Sequence, residues 1–249
     1  MRVSKQMMQS PKQTASQKSE FKVSYYEGLT AQRRKIYASL FSQSGSVLLG
    51  LGCADGSVTL QVSKMVKSSV NLGIDFDNDS LMKANAKEIL ALKADLNSVF
   101  PLVDESVDVV SSDQVIEHLT NVDNFVAEIF RVLKPGGYAV ISTENLSSWH
   151  NIFALMMGKQ AFSQQISSKY QIGNPYSLHY KEQLNSFPHV HIFTIQGLRD
   201  IFEVYGFYVE KVRGIGYFPF PNQVSKFFEA IDPTHTYFLA IKVKKPRKK

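Results

Sequence analysis

The 249-residue sequence predicts an α/β fold, a doubly wound sheet with helices on both faces. Three observations predict it. From Ser46 onward, short apolar runs alternate with amphipathic stretches, the order a parallel sheet with crossover helices requires. The first run, Leu48-Leu49-Gly50-Leu51, enters a turn with Gly52, Ala54 and Gly56, the composition of a buried strand whose following loop passes close to something else. An acid, Asp75, closes the second run at the same edge.

In chain order, Met1 to about Lys18 is rich in Ser, Gln and Lys and reads as disordered, with order beginning near Phe21. Tyr25, Tyr26, Leu29, Ile36, Tyr37, Leu40 and Phe41 recur at helical spacing, which predicts one or two helices over the ligand side of the sheet. Strands are predicted at Ser46–Leu51, Val70–Asp75, Ala91–Ala94, Val107–Ser112 and Tyr138–Thr143. Helices are predicted at Ser57–Val66, from a cap at Asp79 or Ser80 to about Leu90, and at Val122–Leu133, where Lys134-Pro135-Gly136-Gly137 stops the last. Between Glu144 and His191 the alternation lapses. A helix around Trp149, Phe153 and Met156 leads into a polar, aromatic stretch broken by Gly173, Pro175 and Pro188. An insertion at a strand's carboxyl end lies where open α/β sheets bind ligands, so 144–191 is expected to be a substrate lid. Thr194 caps a helix to Tyr205, and strands follow at Phe207–Ile215 and Thr236–Val243. The expected division is a basic tail over 1–20, one domain over 21–243 and a second basic tail over 244–249.

Charge and composition narrow the function classes. The net charge is +6, of which the first 22 residues carry +4 and the last eight +6, leaving −4 on the body. Basic character confined to the ends speaks for solvated tails rather than a nucleic-acid surface. No apolar run approaches the roughly 20 residues of a membrane span, and the polar N-terminus does not resemble a signal peptide, so a cytoplasmic protein is expected. Cys53 is the single cysteine, which excludes an internal disulfide and a cysteine metal cluster.

Asp75 follows Gly52 by 23 positions, the register in which a strand-end acid accepts hydrogen bonds from the two hydroxyls of a ribose. Asp95, at the next strand end, could accept from an adenine amine or simply cap its loop. His118 lies just past the fourth strand and is the candidate general base, its alternative being a helix-start histidine satisfied by neighbours. Asp113 and Gln114 are placed to line a cofactor or acceptor. Tyr25, Tyr26, Trp149, His179 and His191 are candidate acceptor contacts. His189 and His191 on a strand would share one side, but no carboxylate or cysteine cluster stands near them in the sequence, so no metal is expected.

Together these segments resemble the class I S-adenosylmethionine-dependent methyltransferases. Leu51-Gly52-Cys53-Ala54-Asp55-Gly56 is similar to that family's Leu-Gly-Cys-Gly-x-Gly loop, and Gly73-Ile74-Asp75 to its ribose-binding acid. Ala94-Asp95-Leu96 is similar to its adenine-edge segment, Val115-Ile116-Glu117-His118-Leu119 to its Val-Leu-Glu-His-Leu segment, and Arg131-Val132-Leu133-Lys134-Pro135-Gly136-Gly137 to its Pro-Gly-Gly turn. Val190-His191-Ile192-Phe193-Thr194, with Leu198 and Gly206-Phe207, resembles its small-molecule branch. The resemblance implies a Rossmann-like sheet of about seven strands, mostly parallel with the last antiparallel. It also implies an S-adenosylmethionine site built from Gly50, Gly52, Cys53, Ala54, Gly56, Asp75, Phe76, Asp95, Leu96, Asp113 and Gln114. The implied reaction moves a methyl group to an O or N atom of a small polar metabolite or sugar.

Two residues depart from the family's pattern. Gly50 stands where an acid is usual, and Ala54 where Gly is usual; the latter is tolerated if its φ is negative. Asp55 could partly replace the missing carboxylate. The alternatives are a non-catalytic methyltransferase-like binding module, motivated by Gly50, and an RNA methyltransferase. The Asn/Asp-Pro-Pro-aromatic segment expected for a flipped base is absent after the fourth strand, where Ser112-Asp113-Gln114-Val115 stands. A nicotinamide-dependent dehydrogenase would need glycines spaced Gly-x-Gly-x-x-Gly, whereas here they stand as Gly52-x-Ala54-x-Gly56.

Overall fold

Seven strands form one sheet in the order β3-β2-β1-β4-β5-β7-β6. The computed structural model describes residues 15–43, 46–184, 187–220 and 222–248. The strands are β1 (Val47–Leu51), β2 (Val70–Asp75), β3 (Leu90–Lys93), β4 (Val107–Asp113), β5 (Leu133–Glu144), β6 (Tyr208–Ile215) and β7 (Phe238–Lys244). β1 pairs in parallel with both β2 and β4, β2 with β3, and β4 with β5, whereas β7 runs antiparallel between β5 and β6. The chain therefore leaves β1 toward β2 and β3, then returns to lay β4 on the other side. That reversal opens a crevice at the carboxyl ends of β1 and β4.

Alternation along the central strands builds a core on each face. Leu49, Leu51, Val110, Ile141 and Ile241 pack with Phe125 and Ile129 of α4 (Val122–Val132) and Leu198 and Phe202 of α6 (Ile195–Val204). Leu48, Val109, Val140 and Ala240 point the other way and pack with Leu29 and Tyr37 of α1 (Ala15–Ala38) and Val62 and Val66 of α2 (Ser57–Val66). Two-residue periodicity in the strands thus produces helices on both faces.

Several boundaries depart from expectation. The α1 backbone starts at Ala15, ahead of Phe21, because no Gly or Pro interrupts the chain from Lys12 to Glu27. α3 (Asn78–Asn85) is capped by Asp77, whose carboxylate accepts the Ser80 N–H at 2.9 Å, rather than by Asp79 or Ser80. β5 begins directly at Leu133 and carries Pro135-Gly136-Gly137 within its irregular start, with Gly136 at φ +85°. A side chain on Gly137 would lie 2.9 Å from the Asp108 carbonyl, so the strands close only over glycine there. α5 (Trp149–Met156) occupies the start of the insertion as expected, whereas α7 (Asn222–Ile231) is an additional helix. Lys245, expected in the C-terminal tail, is buried and donates to the carbonyls of Phe130 and Leu133, each at 2.8 Å.

Candidate functional site

The loop after β1 is held by the acid after β2. Asp75 is nearly buried; its Oδ2 accepts the Ala54 N–H at 2.8 Å and its Oδ1 the Asp77 N–H at 3.0 Å. The backbone N–H groups of Gly52 and Cys53 both donate to the Ile74 carbonyl, at 2.9 and 3.1 Å. Gly52 has φ +63°, and a side chain there would meet Val115 at 2.5 Å; Gly56 has φ +77° and would meet Ile89 at 2.4 Å. Only glycine satisfies both the dihedral and the space at these two positions. Ala54 also lies at positive φ, +44°, contrary to the negative value that would have made alanine strain-free.

A cavity of about 460 Å³ opens at the carboxyl ends of β1, β2 and β4. Gly52, Asp75, Phe76, Asp95, Leu96, Gln114 and His118 line it with Ala94, Asn97, Val115, Leu119 and Phe187. All of these positions but Phe187 stand in the sequence segments singled out above or directly beside them, and Phe187 joins from the insertion. Its ring meets Phe76 edge-on with centroids 5.0 Å apart, closing one side of the mouth. Asp95 Oδ1 accepts from the Asn97 backbone and side-chain nitrogens, each at 2.9 Å, so it caps its loop while facing the cavity.

Gly50, Cys53, Ala54, Gly56 and Asp113 do not line this cavity. Gly50 lies within β1, and the Thr59 side chain fills the space its Cβ would need. Cys53 turns into a small apolar cluster with Leu81, Ala84 and Ile89, where burial, with Asp75 nearby, pushes its thiol up to about 12. Asp55 points outward to Lys87, Nζ to Oδ2 2.6 Å, and to Ser57. Hydrogen bonding from Lys87, then Ser57, draws its pKa down to about 2, so it does not replace the carboxylate absent at Gly50.

A second polar group lies beneath the insertion. Arg33 of α1 is buried, pairs with Asp113 at the end of β4, and reaches Ser142 Oγ at 3.2 Å; Ser142 Oγ also donates to Asp113. Its guanidinium sits 5.3 Å from the Phe238 ring centre. Asp113 is thereby the anchor of α1 rather than a wall of the cavity. Glu117 is completely buried; one oxygen accepts from Thr143 at 3.1 Å and the other, Oε1, has no partner among the described residues. Burial first, then the neighbouring Glu144, pushes its pKa up to about 8. Glu144 is buried as well, its pKa raised by desolvation, with Oε2 unpartnered among the described residues.

His118 Nδ1 lies 3.1 Å from the Pro188 carbonyl and His189 Nδ1 2.7 Å from the Ser163 carbonyl. The two rings meet edge-on with centroids 4.8 Å apart. Burial, followed by His189, lowers the His118 pKa, which keeps the ring neutral at pH 7. His189 and His191 are not on a strand, and it is His189 that turns inward; His191 is exposed and meets Glu117 through its backbone N–H, 3.1 Å from the Glu117 carbonyl. His179 is exposed and paired with Glu182 at 2.7 Å, and it does not line the cavity. The side chains of Tyr25 and Tyr26 lie outside the described residues.

Trp149 is on a separate, largely apolar cleft of about 600 Å³, with His150, Phe153, Met157, Phe162, Tyr176, Phe218 and Pro219. Its ring stacks on His235 at 4.5 Å and its Nε1–H donates to the Tyr217 hydroxyl at 3.0 Å. Asn151 of α5 donates to Ser163 Oγ at 3.0 Å, so the helix walling this cleft is tied to the residue whose carbonyl meets the His189 ring. Glu117, Glu144, Arg33, His189 and Phe187 were missed as site residues. The spacing Glu117-His118 was in view, but its partners come from 26 to 84 residues away in the chain, and no local pattern joins them.

The pattern of a family described as "Methyltransferase domain" matches residues 49–141. A protein of Mycolicibacterium smegmatis named "Probable S-adenosylmethionine-dependent methyltransferase" is 35% identical over 103 residues, 41% of this chain and 39% of that one. A Lactobacillus johnsonii protein named "Demethylmenaquinone methyltransferase" is 31% identical over 113 residues, 42% of this chain and 46% of that one. The chain thus spans less than half the length of these curated relatives in its matches. The crystal structure of a putative S-adenosylmethionine dependent methyltransferase from Listeria monocytogenes superposes with a TM-score of 0.61 at 16% identity, covering 88% of this chain and all of that one. The matched segment runs from β1 to the middle of β5 and so contains the Gly52 loop, Asp75, Asp95 and the Glu117-His118 pair.

Proposed function

We propose that the chain is a class I S-adenosylmethionine-dependent methyltransferase that moves a methyl group from S-adenosylmethionine to an oxygen or nitrogen of a small molecule. The observation that carries this reading is the convergence of the Gly52 loop, Asp75 and Asp95 on one cavity at the reversal point of the sheet. The cofactor fits that donor set: the Asp75 carboxylate has lone pairs left for ribose hydroxyls after its two backbone bonds, and Asp95 faces the same space for an adenine edge. Phe76 and Leu96 supply apolar walls, and Gln114 completes the edge nearest β4. When bound, the cofactor supplies a methyl group already activated by a sulfonium charge. The chain's part is then to align an acceptor, exclude water and take a proton where the acceptor is an alcohol.

His118 is assigned the proton. Its Nδ1–H is donated to the Pro188 carbonyl, which leaves the Nε2 lone pair as the basic atom on the cavity wall. The insertion is assigned the acceptor, as expected for a lid, with Trp149 on the aromatic cleft. A polar metabolite or sugar was the expectation from sequence; the apolar lining of that cleft supports an acceptor that also carries an apolar arm.

The test is transfer of a labelled methyl group from S-adenosylmethionine to a panel containing sugars, amines, demethylmenaquinone-like quinols and RNA. Labelling of a small acceptor supports the proposal. Labelling of RNA alone favours the RNA reading, and cofactor binding without turnover on any class favours a binding module, the reading that Gly50 motivates.

A further inference from the structure

We propose that Glu117, His118 and His189 form a binding site for one divalent transition-metal cation of the zinc type. One donor atom from each residue lies within 4.8 Å of the other two. They come from two places in the fold: Glu117 and His118 from the short 3₁₀ turn after β4, His189 from the far end of the insertion.

The tautomers are fixed in the sense that metal binding needs. A backbone carbonyl can only accept, so the contacts of His118 Nδ1 with the Pro188 carbonyl and of His189 Nδ1 with the Ser163 carbonyl place a proton on Nδ1 of each ring and leave Nε2 as the nitrogen free to ligate. Metal-bound histidines are ordinarily held in this way, by donation of the other ring N–H to a carbonyl or carboxylate. The loop holding Ser163 is itself fixed, because Ser163 N–H donates to Asn151 at 3.2 Å and Asn151 donates back to Ser163 Oγ.

The third donor is independent of the histidines. Glu117 Oε1 is wholly buried and has no hydrogen-bond partner among the described residues, an arrangement costly to keep unless something positive or donating meets it. The buried cation on this side, Arg33, gives its NH1 to Asp113 and Ser142. Glu144 adds a second buried carboxyl with an unpartnered oxygen, close enough for the two carboxyls to repel. Bonds of about 2.0–2.2 Å to a tetrahedral cation put ligand atoms roughly 3.4 Å apart, so the three donors close by about 1.4 Å at most. Two imidazoles, one carboxylate and an open position match a borderline cation better than magnesium or calcium, which prefer all-oxygen sets.

Metal binding stands apart from the methyl-transfer reading; its use rests on it. A cation at this place would hold an acceptor oxygen beside the cavity wall and favour its deprotonated form, with Nε2 of His118 occupied as a ligand rather than acting directly as the base.

The experiment uses the untagged full-length chain, stripped with a chelator and titrated calorimetrically with zinc chloride. One equivalent of metal is expected to bind, with affinity lowered roughly 100-fold or more in His189→Ala and in Glu117→Gln, beyond the 10- to 100-fold typical of supporting residues. His179→Ala, on an exposed pair, should bind as the wild type does. Circular dichroism establishes folding of each variant; should Glu117→Gln not fold, His118→Ala takes its place. Absence of a stoichiometric site, unchanged affinity in the His189 and His118 variants, or loss of binding in His179→Ala would overturn the proposal. Because the titration is run without S-adenosylmethionine, failure of the methyl-transfer reading would leave this result intact.

Discussion

Thr59 of α2 occupies the space that a side chain at Gly50 of β1 would need: an ideal Cβ there lies 2.3 Å from Thr59 Oγ1. The missing acid and the buried threonine are therefore one packing unit, and restoring the acid alone is not sterically free. Gly50→Ala is expected to cost about 1–3 kcal/mol through overpacking, and the Gly50→Ala/Thr59→Ala pair to recover most of it. Denaturant unfolding of the two singles and the double measures this; additive costs would show that the residues do not compete for the same space.

Ala54 holds φ +44°, a conformation costing an L-residue about 1–2 kcal/mol. Ala54→Gly removes that strain but adds freedom to the unfolded chain, so a net gain of about 1 kcal/mol or less is expected. The readout is the urea midpoint, which should rise at unchanged slope. A fall in midpoint would mean that the loop depends on the alanine methyl.

Arg33 and Asp113 form a buried pair joining α1 to the end of β4. Arg33→Met leaves a buried carboxylate without its cation and is expected to cost about 3–5 kcal/mol. The Arg33→Met/Asp113→Asn double should be less damaged than the sum of the singles, a coupling that a double-mutant cycle on thermal unfolding reads directly.

His150 is buried against Tyr237, Phe162 and Phe218, and desolvation lowers its pKa from 6.5 to about 3. Below pH 6.5 the unfolded chain takes up a proton that the native chain does not, so the ring destabilises the fold increasingly as pH falls toward 3. Relative to wild type, His150→Phe should gain about 1.4 kcal/mol per pH unit across that window and show a constant difference above it. A difference independent of pH would show that the native histidine protonates freely.

The strands along the chain and both helix layers were legible because each rests on local signals: apolar runs such as Leu48–Leu51 and Val107–Val110, caps such as Thr194, and glycines that no other residue replaces. The place of Asp75 on the same cavity as Gly52 was legible because the βα register ties the two together. Asp113 was read as lining the site because its position is right; its role as the partner of Arg33 depends on where α1 lands 80 residues earlier in the chain. Glu117 and His189 were not joined for the same reason. The insertion that brings them together has little regular structure, and its course is set by contacts such as Asn151–Ser163 rather than by periodicity. Lys245 shows the converse, a basic residue assigned to a tail by composition yet buried because two carbonyls at the α4–β5 junction await its ammonium.

The central claim, that the cavity beside Gly52 and Asp75 holds S-adenosylmethionine, is tested most directly by calorimetry with that cofactor and with S-adenosylhomocysteine. One-to-one binding of both is expected, lost in Asp75→Ala while circular dichroism shows the variant folded. No detectable heat for either ligand at millimolar concentration, or undiminished binding in Asp75→Ala, would contradict it.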